Sequence, residues 1–169
     1  MVAQYPDSLE RVIHQAITRQ LASTHHAFTL QDAALLAQFA SEAADDAQVP
    51  VVFSLVDASG QKRYFFSMDN ALLISHSLAE QKAWTAVALK MSTEELAGQI
   101  LPGAALYGLH SHPGLCCFGG GVPCWSEGRL LGAIGISGGT VAEDIAIAQA
   151  TIARFSRERF LLTPTQYPQ

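Results

Sequence analysis

Val51-Val-Phe-Ser-Leu-Val-Asp-Ala-Ser-Gly-Gln-Lys-Arg-Tyr-Phe-Phe-Ser-Met68 is the stretch on which the fold turns. Two runs rich in β-branched and aromatic residues, Val51–Asp57 and Arg63–Met68, flank the turn residues Ala58-Ser-Gly-Gln61. So short a link cannot carry the crossover that parallel strands need, so it predicts an antiparallel β-hairpin.

Before the hairpin, Asp7-Ser8 opens an amphipathic stretch, with Leu9, Val12, Ile13, Ala16 and Ile17 at helical spacing through about Leu21. Thr24 to Phe28 reads as a connector. Thr29 then caps a second helix, with Asp32 favouring its N-terminal dipole, and Pro50 ends it just past Gln48. After the hairpin, Asn70 to Lys90 reads as a long helix, and Ser92-Thr-Glu-Glu95 as the capping box of a short one that Pro102-Gly103 closes off. Twelve of the thirteen glycines lie between Gly98 and Gly139, among apolar runs at Ala105–Leu109, Leu115–Phe118 and Leu130–Ser137 that predict strands joined by tight turns. Thr140-Val-Ala-Glu143 is a further capping box, starting a last helix to about Arg159. The order α-α-β-β-α-β-β-β-α predicts an α+β domain around an antiparallel sheet.

The 169 residues suit one domain; 49% are hydrophobic and 15% charged, which calls for a large core, a large interface or both. A net charge of −5, without clustered Lys and Arg, argues against nucleic acid as a partner. No signal peptide or membrane-spanning apolar run is evident, so no membrane partner is expected. The three cysteines fall within nine residues, and an odd count fits a reduced, cytoplasmic chain. The small-residue helix faces at Ala33, Ala34, Ala37, Ala40, Ala83 and Ala86 suggest close helix packing, some of it between subunits.

Chemistry concentrates in Leu109-His-Ser-His-Pro-Gly-Leu-Cys-Cys-Phe-Gly-Gly-Gly-Val-Pro-Cys-Trp125. His110 and His112, spaced for a shared ion, could join Cys124 in holding zinc or another divalent metal. The His-Ser-His-Pro motif resembles that of the JAMM metalloproteases. That family carries a Ser and, three residues on, an Asp ligand, where this chain has Gly121 and Cys124. Gly119, Gly120 and Gly121, like Gly138 and Gly139, permit close approach of backbone or ligand, and Gly138-Gly139-Thr140 at a helix start would suit an anion. Tight turns alone account for these glycines equally well. His76 lines up with Leu72, Ala79, Ala83 and Val87, an apolar face where a flat cofactor could rest.

Several phrases together resemble the GlcG/HbpS family, which includes the C-terminal domain of PduO-type proteins from propanediol-utilisation microcompartments. They are Val49-Pro-Val-Val-Phe-Ser-Leu-Val-Asp57 with Ser59-Gly60, Met68-Asp-Asn-Ala71, Ala79-Glu-Gln-Lys-Ala-Trp-Thr-Ala86, Phe118-Gly-Gly-Gly-Val-Pro123, and Gly132-Ala-Ile-Gly-Ile-Ser-Gly-Gly139 with Glu143-Asp144. The resemblance spans about residues 33 to 155. It implies a profilin-like α+β domain, here over residues 29–169, that assembles into dimers or larger homo-oligomers; the N-terminal helical extension at 1–28 goes beyond the family's common core. It also implies haem, held near the N-terminal helices, the long helix bearing Lys82 and Thr85, and the subunit interface. The axial ligand differs among members, which leaves His14 and His76 as candidates here. The expected function is non-enzymatic cofactor binding for sequestration, sensing or supply, beside an enzyme of a propanediol-type microcompartment. A metal-dependent small-molecule enzyme built on His110, His112 and Cys124, or a ligand-free assembly module, is the alternative.

Overall fold

The computed structural model describes residues 28–162, with Ile13 alone before them. The helix expected at 7–21, with His14, and the pair His25-His26 therefore lie outside the described residues, apart from Ile13. From there the elements are α1 (Leu30–Ala47), β1 (Val52–Asp57), β2 (Lys62–Ser67), α2 (Leu73–Leu89), α3 (Thr93–Gln99), a 3-10 turn (Tyr107–Ser111), β3 (Gly121–Ser126), β4 (Arg129–Ser137) and α4 (Val141–Leu162). The four strands form one sheet in the order β2-β1-β4-β3, antiparallel throughout. An α+β architecture is what the hairpin predicts.

The expected hairpin pairs Phe53 with Phe66 and Leu55 with Tyr64. Its turn is shaped by Asp57, whose carboxylate accepts N–H bonds from Ser59 at 3.0 Å and Gln61 at 3.1 Å, and by Gly60 at φ +80°. β1 sits at the centre of the sheet and is covered on both sides, which explains its nearly unbroken apolar run. Phe53 and Leu55 face a core shared with Leu36, Phe39 and Ala40 of α1, Ile134 and Ile136 of β4, and Ile147, Ala148 and Phe155 of α4. On the opposite face Val56 and Ala133 meet Ala83, Ala86 and Val87 of α2.

Helix α2 lies very close to the sheet because the residues between them are small. A methyl group on Gly135 would overlap the carbonyl of Ala79, and one on Gly121 would overlap the carbonyl of Lys82. The alanines read as packing surfaces are consumed here: Ala33, Ala37, Ala40, Ala83 and Ala86 are all buried inside the single chain, and only Ala34 is exposed. The five buried ones pack elements of one chain together.

Two expected strands are absent. Residues 101–115 wind through successive turns, with backbone bonds Tyr107 to Ala104, Leu109 to Leu106, His112 to Leu109 and Leu115 to His112. Each N–H is satisfied three residues back, leaving no ladder to build. The outer strand partner of β4 is instead Gly121–Ser126, which its glycine and Pro123 disguise as a turn.

Caps follow the sequence closely. Thr29 and Asp32 form a reciprocal capping box, and Ser92 accepts from the N–H of Glu95. At α4 the Glu143 N–H reaches the Thr140 hydroxyl at 3.3 Å, while Thr140 donates both its N–H and its hydroxyl to the Glu143 carboxylate. The bonds from Thr140 hold the Glu143 carboxyl below its ordinary value. A lowered folded-state value means that this support exists at neutral pH and is lost as acid titrates the carboxylate. Thr140→Ala should lower unfolding free energy by about 1 kcal/mol in a denaturant titration. Gly135→Ala, which must push α2 off the sheet, should cost on the order of 3 kcal/mol in the same measurement.

Candidate functional site

The residues expected to hold a cofactor at the α2 side converge, and they do so on a side chain rather than on a cavity. Lys82 is 2% exposed; its Nζ donates to Asp144 Oδ2 at 2.6 Å and to the Ile136 carbonyl at 2.9 Å. Asp144 Oδ1 in turn accepts the N–H groups of Gly138 and Gly139, at 3.1 and 3.0 Å. The anion anticipated at Gly138-Gly139-Thr140 is thus supplied by the helix itself. Thr85 accepts the Cys116 N–H at 2.9 Å, and Thr93 the Gly121 N–H at 2.8 Å. A methyl at Gly119 would overlap Ile145, and one at Gly120 would crowd the Ile136 carbonyl and Lys82 Nζ. Lys82, Thr85 and the glycines at 119–121 and 138–139 therefore form a packed joint between α2, β3, β4 and α4. Asp144 and Thr93 complete it; a lone lysine in an alanine-rich helix, answered by the Asp after a capping-box Glu, is the signal that points to it.

The larger opening lies on the other face, between α1 and β2. It is an open groove of about 670 Å³, lined by Ala34, Ala37, Gln38, Ser41 and Asp45 from α1 and by Tyr64, Phe66, Ser67, Met68 and Asp69 from β2 and its exit. This volume is of the size that cofactors occupy. Phe66 stacks on Phe53 at 5.2 Å between ring centres, which fixes a flat apolar wall. Met68 Sδ accepts the Val51 N–H at 3.5 Å. Sequence reasoning read Tyr64 and Phe66 as strand residues and Met68 as the end of that run and the start of a family phrase, with no site role for any of them.

His76 does not line that groove. It packs beside Phe65, 5.9 Å between ring centres, and its Nε2 is 2.9 Å from the Ser67 hydroxyl. His110 and His112 are exposed on the 3-10 turn, where His110 Nδ1 bonds the Tyr107 carbonyl, whereas Cys124 is buried in the core beneath α1 and α4. Burial pushes the Cys124 thiol up to about 12 and raises Cys116 and Cys117 as well, so none is a thiolate at neutral pH. Among the described residues no three His, Cys, Asp or Glu side chains are gathered to hold a metal ion. The His110, His112 and Cys124 set is split between surface and core. No helix among the described residues is long and apolar enough to cross a membrane.

With this geometry in hand, comparison with known proteins is direct. PduO of Salmonella typhimurium, a corrinoid adenosyltransferase, is 49% identical over 133 residues, covering 78% of this chain. The chain spans only about two fifths of that relative's length, 40%. A crystal structure of a PduOC:heme complex is 49% identical with a TM-score of 0.72, covering 75% of this chain and 94% of that one. Klebsiella pneumoniae protein ORFY, at 37% identity and a TM-score of 0.73, covers 76% and 90% respectively. The profile of a family described as haem degrading protein HbpS-like matches residues 28–153, and the chain belongs to that HbpS-like family.

Proposed function

We propose that the chain binds haem in the groove between α1 and β2, to sequester it, sense it or supply it. The observation that carries this reading is its 49% identity to a domain solved in complex with heme. The groove suits the macrocycle: Ala34 and Ala37 leave room for a flat ring, and Phe66 offers an apolar wall. Met68 and Tyr64 are its own donor side chains of kinds that bind haem iron. His76 reaches the groove only through Ser67, and His14 belongs to the extension outside the described residues. Asp45 and Asp69 repel carboxylates, so the propionates would extend into solvent. Bound haem would supply a redox-active iron; the protein's part is to cover one ring face and offer an axial base. The PduO relatives fit a place beside a corrinoid-dependent enzyme system of the propanediol type.

Hemin titration followed at the Soret band checks this. The parent protein should shift the band, and Ala34→Trp, which fills the groove from an exposed position, should weaken binding by about tenfold or more. Met68→Ala, Tyr64→Phe, His14→Ala and His76→Ala, titrated separately, identify the axial base by loss of the shift. No Soret change with the parent sinks the haem reading, and full affinity in Ala34→Trp moves the site out of this groove.

We also infer self-association through the start of α2, where no side chain caps the helix and Leu72, Leu73 and Ile74 are 60%, 84% and 60% exposed. Sedimentation should show a dimer or larger species at micromolar concentration, and Leu73→Glu should shift it toward monomer. A compact parent monomer overturns this.

A further inference from the structure

A second, smaller cavity opens on the α2 side of the hairpin, away from the groove assigned to haem. It encloses about 250 Å³ and is walled by Ser54 and Val56 of β1, Gly60 and Lys62 of the hairpin, and Glu80, Gln81 and Trp84 of α2, with Gly114 at one end. At its floor lies an anomaly. Ser54 is fully buried in the central strand, and its hydroxyl has no hydrogen-bond partner. A buried hydroxyl without a partner is costly, and the neighbouring positions Val52 and Val56 show what a central strand ordinarily places there.

The rest of the wall defines what could satisfy it. Lys62 and Glu80 are paired at 2.6 Å, so the charge they present sums to zero and an anion entering beside Lys62 meets Glu80 at once. Gln81 adds an amide that both donates and accepts. Trp84, 41% exposed, and Val56 give the apolar surface; a methyl on Gly60 would lie 3.4 Å from Trp84 Nε1, so the indole rests against the hairpin turn. Neutral net charge, donors and acceptors side by side in one wall and an aromatic platform together describe a site for hydroxyl groups on a short carbon chain. The volume accommodates roughly eight non-hydrogen atoms, taking about 30 Å³ for each as for liquid water.

We propose that this cavity is a binding site for a small neutral polyol, whose deepest hydroxyl pairs with Ser54 while its carbon chain lies on Trp84. The site is independent of the haem reading and stands or falls separately from it.

Erythritol serves as the probe and Trp84 as the reporter. In a Trp125→Phe background Trp84 is the only tryptophan, because the chain has two. Its emission should change saturably with erythritol, and the charged analogue erythronate should bind more weakly. Ser54→Ala removes a hydroxyl that bonds nothing in the protein, so circular dichroism and melting should be retained while erythritol affinity falls about tenfold. Glu80→Gln leaves Lys62 unpaired and should invert the preference toward erythronate. Hemin titration of Ser54→Ala should match the parent, which separates the two sites. The proposal is overturned by an emission that does not saturate, by equal binding of erythritol and erythronate in the parent, or by undiminished affinity in Ser54→Ala.

Discussion

The ammonium of Lys82 is held 2.6 Å from Asp144 and 2.9 Å from the Ile136 carbonyl, in a place almost closed to solvent. Two charges so placed have given up hydration that either alone could not recover. Each therefore depends on the other staying in position. Lys82 belongs to α2, Ile136 to β4, and Asp144 to the first turn of α4, so one cluster fixes the helix on one face of the sheet to the helix on the other. Asp144 adds the Gly138 and Gly139 N–H groups, which settles how the chain leaves β4 and enters α4. The groove between α1 and β2 rests on α1, which packs against α4 in the shared core, so its α1 wall is placed through the helix that this ion pair anchors.

The hairpin of β1 and β2 divides the remaining chemistry. Tyr64 and Phe66 turn toward α1, while Ser54 and Val56 turn toward α2, a consequence of the two-residue period of a strand. A one-residue slip in this register would exchange the apolar wall of one cavity for the polar floor of the other. The Asp57-Ser59-Gln61 turn bonds that set the register thereby specify both.

Reading the sequence found the hairpin, the caps at Thr29, Ser92 and Thr140, the long helix and the family, because each rests on local chemistry. It failed where the cause is distant. Ala105–Leu109 and Leu115–Phe118 have strand-like composition, yet neither pairs with a strand: the first closes into turns, and in the second the Cys116 N–H goes to the Thr85 hydroxyl. Gly121 looks like turn punctuation and is in fact a strand residue, small because the Lys82 carbonyl passes over it. The same limit applies to function. Lys82, Thr85 and the glycines, expected to hold a cofactor, meet in a packed joint; that no space is left between them depends on packing that no spacing rule expresses. Met68 and Ser54 appeared only within family phrases and received no role of their own, because neither residue type stands out in or beside a strand. His110, His112 and Cys124 were drawn together by proximity along the chain, which burial then undid.

Among the described residues the sheet is open, and its two outer strands are guarded differently. β3 carries Pro123, which lacks an N–H and cannot complete a ladder with an arriving strand. β2 begins with Lys62 and Arg63, both exposed, so a second sheet edge would have to bury like charges to align with it. Neither edge is a template for continued β-pairing between chains. Crowding many copies together, as an ordered assembly would, therefore carries little risk of cross-strand aggregation, and contacts between copies are left to side chains.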